Sequence, residues 1–315
     1  MAFGFWFFFS LFSVTAPGIA PVVDLDLNQD TYQFALEIGE QIYDWNVLAR
    51  FVLPGESLPI RIVPKSTSNS KNYGWISSGG SLLDKGQTEK IWIAPQTPGL
   101  YPLIITNGSI KTINIFVMVP FENLKGSRLN GYLIGSYPKS PSPHPKLTKP
   151  KGFIEVTPEV ENTPLSPNFT LKEFVCRQPS DYPKYLALKE ELIIKLELLL
   201  AKIRNSGYQC SKLVVFSGYR PPRFNAGGGG GRHSAHIYGG AADIFIDEDN
   251  NGMIDDLNGD GRCNSKDSKI LFDLANELDM EHPELVGGLG WYRSTSRIGP
   301  CIHIDVRGKP TRWRQ

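Results

Sequence analysis

Hydrophobic and polar residues alternate along the first part of the chain, from about residue 24 to residue 120. Between Tyr32 and Ile38 every second residue is a large hydrophobic one, which is the period of a strand with one buried face. Further short hydrophobic runs follow at 47–53, 58–63, 90–94, 101–106 and 111–119. Turn-forming pairs such as Pro54-Gly55 and Asn107-Gly108 separate these runs. The pattern predicts an all-β, immunoglobulin-like sandwich over 22–121.

The hydrophobic period changes in the second half of the chain. Across 184–206 hydrophobic residues step by threes and fours, at Tyr185, Leu188, Leu192, Leu196, Leu199 and Ile203. This spacing predicts a helix with one buried face, which Gly207 ends. A second helix is predicted over about 268–280, and strands over 152–157, 212–216 and 242–246. Together these elements predict an α+β domain over 166–315.

Between the two regions, residues 122–165 are predicted to be a linker, at least in part. Five prolines between 138 and 150 favour extended chain in this stretch: Pro138, Pro141, Pro143, Pro145 and Pro150. From Lys125 to Lys151 there are six basic residues and no acidic one. The segment is either a solvated tether kept open by its charge or a peripheral contact with anionic envelope polymers or lipid head groups.

The first 21 residues resemble an export signal. Residues 3–14 are almost purely apolar, and the small residues Ala16 and Ala20 follow. The stretch is too short to span a bilayer, which favours a cleaved signal peptide. It contains no Lys or Arg, so a retained membrane-tethering segment and a misplaced start codon are the alternatives. Export predicts a location in the periplasm or cell envelope.

Composition adds two constraints. The chain has 315 residues, which favours two domains, and its net charge of +1 gives no reason to expect a nucleic-acid partner. In an exported protein the four cysteines, Cys176, Cys210, Cys263 and Cys301, allow two disulfides with three possible connectivities.

The candidate chemistry lies in two segments. One is Ser234-x-His236-x-x-Gly239-x-Ala241-x-Asp243, and the other is Cys301-Ile302-His303-Ile304-Asp305. Two histidines and a carboxylate from separate segments meet the requirement of a catalytic zinc site, which has three protein ligands and leaves the fourth position to water.

Four motifs in this order resemble the zinc peptidases that cut peptidoglycan peptides at or near D-alanine. The motifs are SGYR (217–220), the S-x-H-x-x-G-x-A-x-D run, GGLGWY (287–292) and HIDVRGKPTRW (303–313). The superfamily also contains lysostaphin-type enzymes and the hedgehog signalling domain, and the resemblance is closest to periplasmic murein endopeptidases. It implies a small antiparallel sheet that carries a zinc site, with His236, Asp243 and His303 as the ligands.

The resemblance also implies catalytic and substrate-binding residues. Arg220 is expected to bind a substrate carboxylate or the developing oxyanion, with a structural ion pair as the alternative. Tyr219 and Ser234 are expected to contact substrate. Many relatives place an acidic residue three positions before the last zinc-binding histidine, where this chain has Pro300. Asp305 or His233 could act as the general base instead. The closest branch of the family also has His-x-Asp, which favours Asp305, and orientation of His303 is the alternative role for Asp305.

An acidic insert at 247–267 predicts structural calcium. Two overlapping registers of its Asp and Asn residues copy parts of an EF-hand-type loop. The predicted oxygen ligands are Asp247, Asp249, Asn251 and Asp255 in the first register, and Asp256, Asn258, Asp260, Asn264 and Asp267 in the second. An Asp/Asn-rich surface loop without metal is the alternative.

The sequence therefore predicts an exported zinc metallopeptidase of the murein endopeptidase or carboxypeptidase type. Its expected action is hydrolysis of peptidoglycan cross-links or stem peptides, with peptidoglycan as its partner. The alternatives are a catalytically silent, zinc-containing module that binds peptidoglycan, and a structural envelope protein whose β domain carries the function.

Overall fold

A computed structural model describes residues 33–65, 72–293 and 299–314. The predicted export signal at 1–21 lies outside the described residues. In the part of the chain that the structure covers, no helix is both long enough and apolar enough to cross a membrane.

The described residues up to Val117 form two β-sheets. The strands are β1 (Phe34–Ile38), β2 (Gln41–Tyr43), β3 (Val47–Val52), β4 (Ser57–Pro64), β5 (Gly74–Ser77), β6 (Ser81–Asp84), β7 (Glu89–Ile93), β8 (Gly99–Thr106) and β9 (Ile110–Val117). One sheet is antiparallel with the order β2-β1-β4-β7-β6. The other has the order β3-β9-β8-β5, and its β3 and β9 are parallel.

Alternating burial explains how these strands form one core. In β4, Ile60 and Ile62 are buried while Arg61 between them is exposed. Trp92 of the first sheet and Ile113 of the second belong to the same buried cluster. The prediction of short half-buried strands is confirmed here, whereas the immunoglobulin-like type of sandwich stays a prediction.

The stretch predicted to be an open linker, 122–165, is packed. It contributes β11 (Arg128–Leu129), β12 (Tyr132–Leu133) and β13 (Gly152–Val156); β13 pairs with β10 (Val119–Pro120) and β14 (Lys184–Leu186). Leu129, Ile134 and Leu147 are at most 2% exposed. These residues correct the prediction of a solvated tether, because the prolines make the segment irregular without keeping its hydrophobic side chains in water.

The C-terminal part contains three α-helices and a five-stranded sheet among its described residues. Its elements are α1 (Glu190–Asn205), β15 (Val214–Ser217), α2 (Pro222–Gly227), β16 (Ala241–Phe245), α3 (Ser265–Glu281), β17 (Gly288–Tyr292), β18 (Cys301–Asp305) and β19 (Thr311–Arg314). The strand order is β15-β16-β18-β17-β19, antiparallel except for the β17–β19 pair. The molecule is therefore mixed α/β, with several small sheets and few helices.

The first long helix is shorter than the sequence predicts. Residues 184–186 form β14 instead, because Tyr185 pairs with Glu155 of β13. The two parts of the molecule meet at the start of α1. There Glu190 forms an ion pair with the buried Arg50 of β3 and accepts a hydrogen bond from the backbone N–H of Phe51 at 3.0 Å.

Candidate metal centre

Three elements bring His236, Asp243 and His303 together. His236 lies on a 3₁₀ helix, Ala235–Tyr238, which ends at Gly239 with a left-handed φ of 70°. The chain then enters β16, which carries Asp243, and β16 pairs with β18 so that Asp243 lies directly opposite His303. Side chains of paired residues project from the same face of a sheet, so the register alone places the carboxylate beside the imidazole.

The three ligand atoms form a small triangle. Asp243 Oδ1 lies 3.0 Å from His303 Nδ1 and 3.3 Å from His236 Nε2, and the two nitrogens are 3.1 Å apart. A tetrahedral zinc ion with bonds of about 2.0–2.1 Å holds its ligand atoms roughly 3.3 Å apart. All three residues are at most 6% exposed. The donor set and its spacing therefore fit a zinc ion.

Each of these side chains is also held from its far side. The Gly218 carbonyl accepts from His236 Nδ1 at 2.7 Å, which leaves Nε2 as the metal-facing atom. Arg220 forms an ion pair with Asp243 Oδ2. His303 Nε2 lies 3.0 Å from Asp305 Oδ2. Outer partners of this kind fix the orientation and tautomer of metal ligands.

The electrostatic environment favours an ionised Asp243. Burial raises the pKa of this carboxyl, but His236 and His303 outweigh burial and hold the pKa well below its usual range. Burial is the largest influence on His236 and lowers the pKa of its imidazole. Burial also lowers the pKa of His303, but Asp243 and Asp305 outweigh it and raise the pKa. Because a metal binds the neutral imidazole, we expect ion binding to displace a proton from His303.

Asp305 lies behind His303 and away from the ligand triangle. It is 0% exposed, and its carboxylate accepts from the Gly288 backbone N–H at 2.7 Å and from Arg307 Nε at 2.8 Å. A Cβ atom at Gly288 would lie 2.5 Å from Asp305 Oδ2, which explains a glycine at this position. A buried carboxylate on the far side of the imidazole cannot reach a water in front of the metal. The geometry therefore favours orientation of His303 over the base role for Asp305.

A cleft of about 590 Å³ opens in front of the triangle. Besides the three candidate ligands, it is lined by Phe216, Arg220, Gly228, Gly229, Gly230, Gly231, His233, Ser234, Ala235, Tyr292, Arg293, Cys301, Arg307 and Trp313. Arg220, His233 and Ser234 thus line the cleft, and their catalytic and substrate-binding roles stay predictions. Tyr219 does not: it is 1% exposed, and its hydroxyl is 3.1 Å from that of Tyr137. The prediction that Tyr219 contacts substrate is wrong, because its ring belongs to the core.

His233 is the remaining candidate for proton transfer. Its Nδ1 lies 2.9 Å from the Tyr238 hydroxyl, whereas its Nε2 has only a 3.5 Å contact with Ser140 Oγ. His233 lines the cleft, and its Nε2 has only this long contact. That nitrogen is therefore free to take up and release a proton.

Tyr292, Arg307 and Trp313 are among the cleft residues that the sequence reasoning missed. Trp313 packs on the His303 ring with centroids 5.1 Å apart, and its Nε1 donates to the Tyr292 hydroxyl at 3.2 Å. All three residues lie in the motifs GGLGWY and HIDVRGKPTRW, which could have identified them as candidates.

The acidic insert forms two loops with matching internal hydrogen bonds. Asp247 accepts from the backbone N–H groups of Asn251 and Gly252, both at 2.9 Å, and Asp256 accepts from those of Asp260 and Gly261. Carboxylate oxygens of Asp247, Asp249 and Asp255 lie within 4.8 Å of one another. Asp267 instead accepts from the backbone N–H of Asn264 at 2.7 Å and caps α3. Calcium binding stays a prediction.

The four cysteines are unpaired. Cys176, Cys210 and Cys301 are buried, and Cys263 is exposed on the insert. The two disulfides allowed by the sequence are therefore absent from the structure. Burial raises the pKa of the Cys301 thiol to about 12, so this thiol beside the metal-ligand face is protonated at neutral pH.

A family model described as Peptidase M15 matches residues 167–264. The matched segment contains His236 and Asp243 and ends before His303. Over the matched residues, this confirms the resemblance to zinc peptidases that the motifs indicate. A comparison with curated proteins found no match.

Proposed function

We propose that the protein is an exported zinc metallopeptidase that hydrolyses the cross-links or stem peptides of peptidoglycan. The observation that supports this most is the convergence of His236, Asp243 and His303 on one point at the floor of the cleft, with ligand atoms 3.0–3.3 Å apart. The Peptidase M15 match over residues 167–264 supports a peptidoglycan-type substrate. We also propose that the N-terminal segment directs export to the periplasm or cell envelope.

His236, Asp243 and His303 would hold the zinc ion. When bound, zinc supplies Lewis-acid polarisation of the peptide carbonyl and makes water nucleophilic near neutral pH. Gly218, Arg220 and Asp305 orient the three side chains that form the site.

Arg220 has a second role in this proposal. Its Nε donates to Ser217 Oγ at 2.7 Å and its Nη2 pairs with Asp243, so three of its five N–H donors remain for other acceptors. Its side chain is 25% exposed and lines the cleft. We therefore assign Arg220 to the oxyanion that develops on the substrate carbonyl beside Asp243.

His233 carries the proton in this proposal. Tyr238 orients the ring through Nδ1. Nε2 can then accept a proton from the nucleophilic water and donate it to the leaving amine. His233 thus takes the role of the acidic residue that many relatives have at the position of Pro300.

The test is digestion of isolated sacculi and of soluble muropeptides by the purified, zinc-loaded protein, followed by chromatography of the products. We expect new peptide fragments, none of which form with a chelator or with the His236→Ala variant. The fragments identify the bond that is cut. Binding to sacculi without any cleavage would instead support the catalytically silent module.

A further inference from the structure

We propose that three charged residues outside the cleft position the metal centre: Lys195, Asp279 and Arg312. They act through Asp305, which orients His303. The inference rests on the zinc site of the proposed function and extends it to side chains that do not line the cleft. These three are positioning residues, because each reaches the site only through the backbone that it holds.

Lys195 and Asp279 form an ion pair in the interior. Lys195 lies on α1 and Asp279 on α3, with Nζ and Oδ1 2.5 Å apart and side chains 0% and 1% exposed. A buried pair loses its hydration, and apolar side chains of similar size often stabilise such a contact equally well or better. The pair differs from an apolar contact in the backbone groups that its charged atoms hold.

Lys195 holds the main chain of Asp305. Its Nζ donates to the Asp305 carbonyl at 2.8 Å. Asp305 ends β18, so this bond joins α1 to the strand that carries His303. Gly287 packs against the same carbonyl oxygen, where a Cβ atom on Gly287 would lie at 1.8 Å. The carbonyl therefore has a fixed donor from α1 and a close contact from the residue before β17.

Asp279 and Arg312 hold Gly287. Asp279 Oδ2 accepts from the Gly287 backbone N–H at 3.3 Å and from Arg312 Nη2 at 2.7 Å. Arg312 Nη1 donates to the Gly287 carbonyl at 2.7 Å, so both backbone groups of this glycine are bound. The next residue, Gly288, donates its N–H to Asp305 Oδ1 at 2.7 Å. The network thus places the donor that meets the Asp305 carboxylate.

The two routes meet at Asp305 and continue to the metal centre. The Asp305 carboxylate contacts His303 Nε2 at 3.0 Å, and Nδ1 of the same ring lies 3.0 Å from Asp243 Oδ1. An imidazole ring is rigid, so a shift of Asp305 turns the ring and moves Nδ1. Zinc requires ligands in a tetrahedral arrangement, and outer partners that orient a ligand affect metal affinity. Loss of the network should therefore weaken zinc binding.

The test is the zinc affinity of the purified full chain, measured by competition with a chromogenic chelator. Lys195→Met keeps the length of the side chain and removes its charge. We expect about 10-fold weaker zinc binding, the lower end of the range for partners of a metal ligand, because Lys195 acts through Asp305.

Glu197→Met is the matched control. Glu197 lies on the same helix and is 1% exposed, but it accepts its hydrogen bonds from Asn168, at 2.6 and 2.8 Å. This variant should lower the melting temperature and keep the zinc affinity of the parent protein.

A second variant separates positioning from stability. Lys195→Met combined with Asp279→Leu removes both charges from the interior, and Arg312, whose side chain is 29% exposed, can then turn to water. Paired replacement of this kind is often neutral or stabilising. We expect a melting temperature near that of the parent protein together with the same loss of zinc affinity. The d–d absorption of the cobalt-substituted protein should also shift in both Lys195 variants and stay unchanged in Glu197→Met.

Unchanged zinc affinity in both Lys195 variants would overturn the proposal, and so would an equal loss in Glu197→Met. A parent protein that binds no zinc would overturn it together with the metal site. Should neither Lys195 variant fold, Arg312→Gln reaches the network from the surface, and unchanged zinc affinity in that variant would be decisive against the proposal. A parent protein that binds zinc but cleaves no muropeptide would contradict only the peptidase function, since metal affinity is the readout here.

Discussion

The molecule contains two clusters of candidate metal ligands, and they are built in opposite ways. In the triad of His236, Asp243 and His303, each residue comes from a different element, and all three are at most 6% exposed. In the insert, Asp247, Asp249 and Asp255 are close neighbours in sequence. Asp247 is buried, but Asp249 is exposed and Asp255 half-buried.

The two clusters also differ in the partners of their hydrogen bonds. The insert carboxylates accept from backbone N–H groups of their own loop. The triad atoms instead point at one another, with their outer partners on the far side. The triad atoms, 3.0–3.3 Å apart and buried, are spaced to share one cation, whereas the insert carboxylates already accept hydrogen bonds from their own backbone.

The largest effect should come from removing a triad ligand. We expect His236→Ala to lose the bound zinc and all peptidase activity while the fold remains, because two ligands do not hold zinc firmly. Elemental analysis should give about one zinc per chain in the parent protein. His282→Ala, which changes a histidine outside the cleft, is the control and should keep both zinc and activity. Zinc retained at the parent level in His236→Ala would show that the triad is not the site.

The next effect concerns the proton carrier. His233→Gln should lower the turnover of muropeptides by roughly 10²–10⁴-fold with zinc still bound, the range for general acid–base catalysis. Ser140→Ala removes the weak 3.5 Å contact to His233 Nε2 and should have little effect. Full activity in His233→Gln would move the base role to another residue.

A smaller effect is expected for Asp305, since it orients His303. Asp305→Asn should weaken zinc affinity by about 10–100-fold, and excess zinc should restore most of the rate. Titration of activity against free zinc measures both quantities. The burial of Asp305 argues against a role as general base. A rate that stays low at saturating zinc would instead support that role.

The sequence predicted much of the triad and little of its surroundings. His236, Asp243 and His303 could be found because their spacing and residue types carry the chemistry directly. The place of Arg307 in the cleft could not be found, because segments distant in sequence form that cleft. The packing of residues 122–165 was missed because proline content indicates irregular backbone and says nothing about whether the backbone is packed.

The helix start was missed for a related reason. Tyr185 fits the three-and-four spacing of α1, but pairing of β14 with β13 overrides that local pattern. Tyr219 was assigned to substrate because it lies in SGYR beside Arg220, although strand-like neighbours point to opposite sides and its ring enters the core.

The smallest effect should come from calcium. If the insert binds calcium only when folded, calcium at 100 times its dissociation constant stabilises the protein by about 2.7 kcal/mol, which raises the melting temperature by several degrees. Asp256→Ala combined with Asp260→Ala should remove this shift. Asp273→Ala, an exposed carboxylate on α3 that pairs with Lys269, is the control and should keep it. If calcium does not change the melting temperature of the parent protein, the insert is a surface loop without bound calcium.

X-ray absorption at the zinc edge of the purified full-length protein tests the triad most directly. We predict one zinc per chain, bound by two imidazole nitrogens and one carboxylate oxygen at about 2.0–2.2 Å, with a further light atom and no sulfur. Cys301 lines the cleft, so the absence of a zinc–sulfur bond would be informative. A sulfur atom at about 2.3 Å, or a zinc-free protein after zinc is supplied, would contradict the site built by His236, Asp243 and His303.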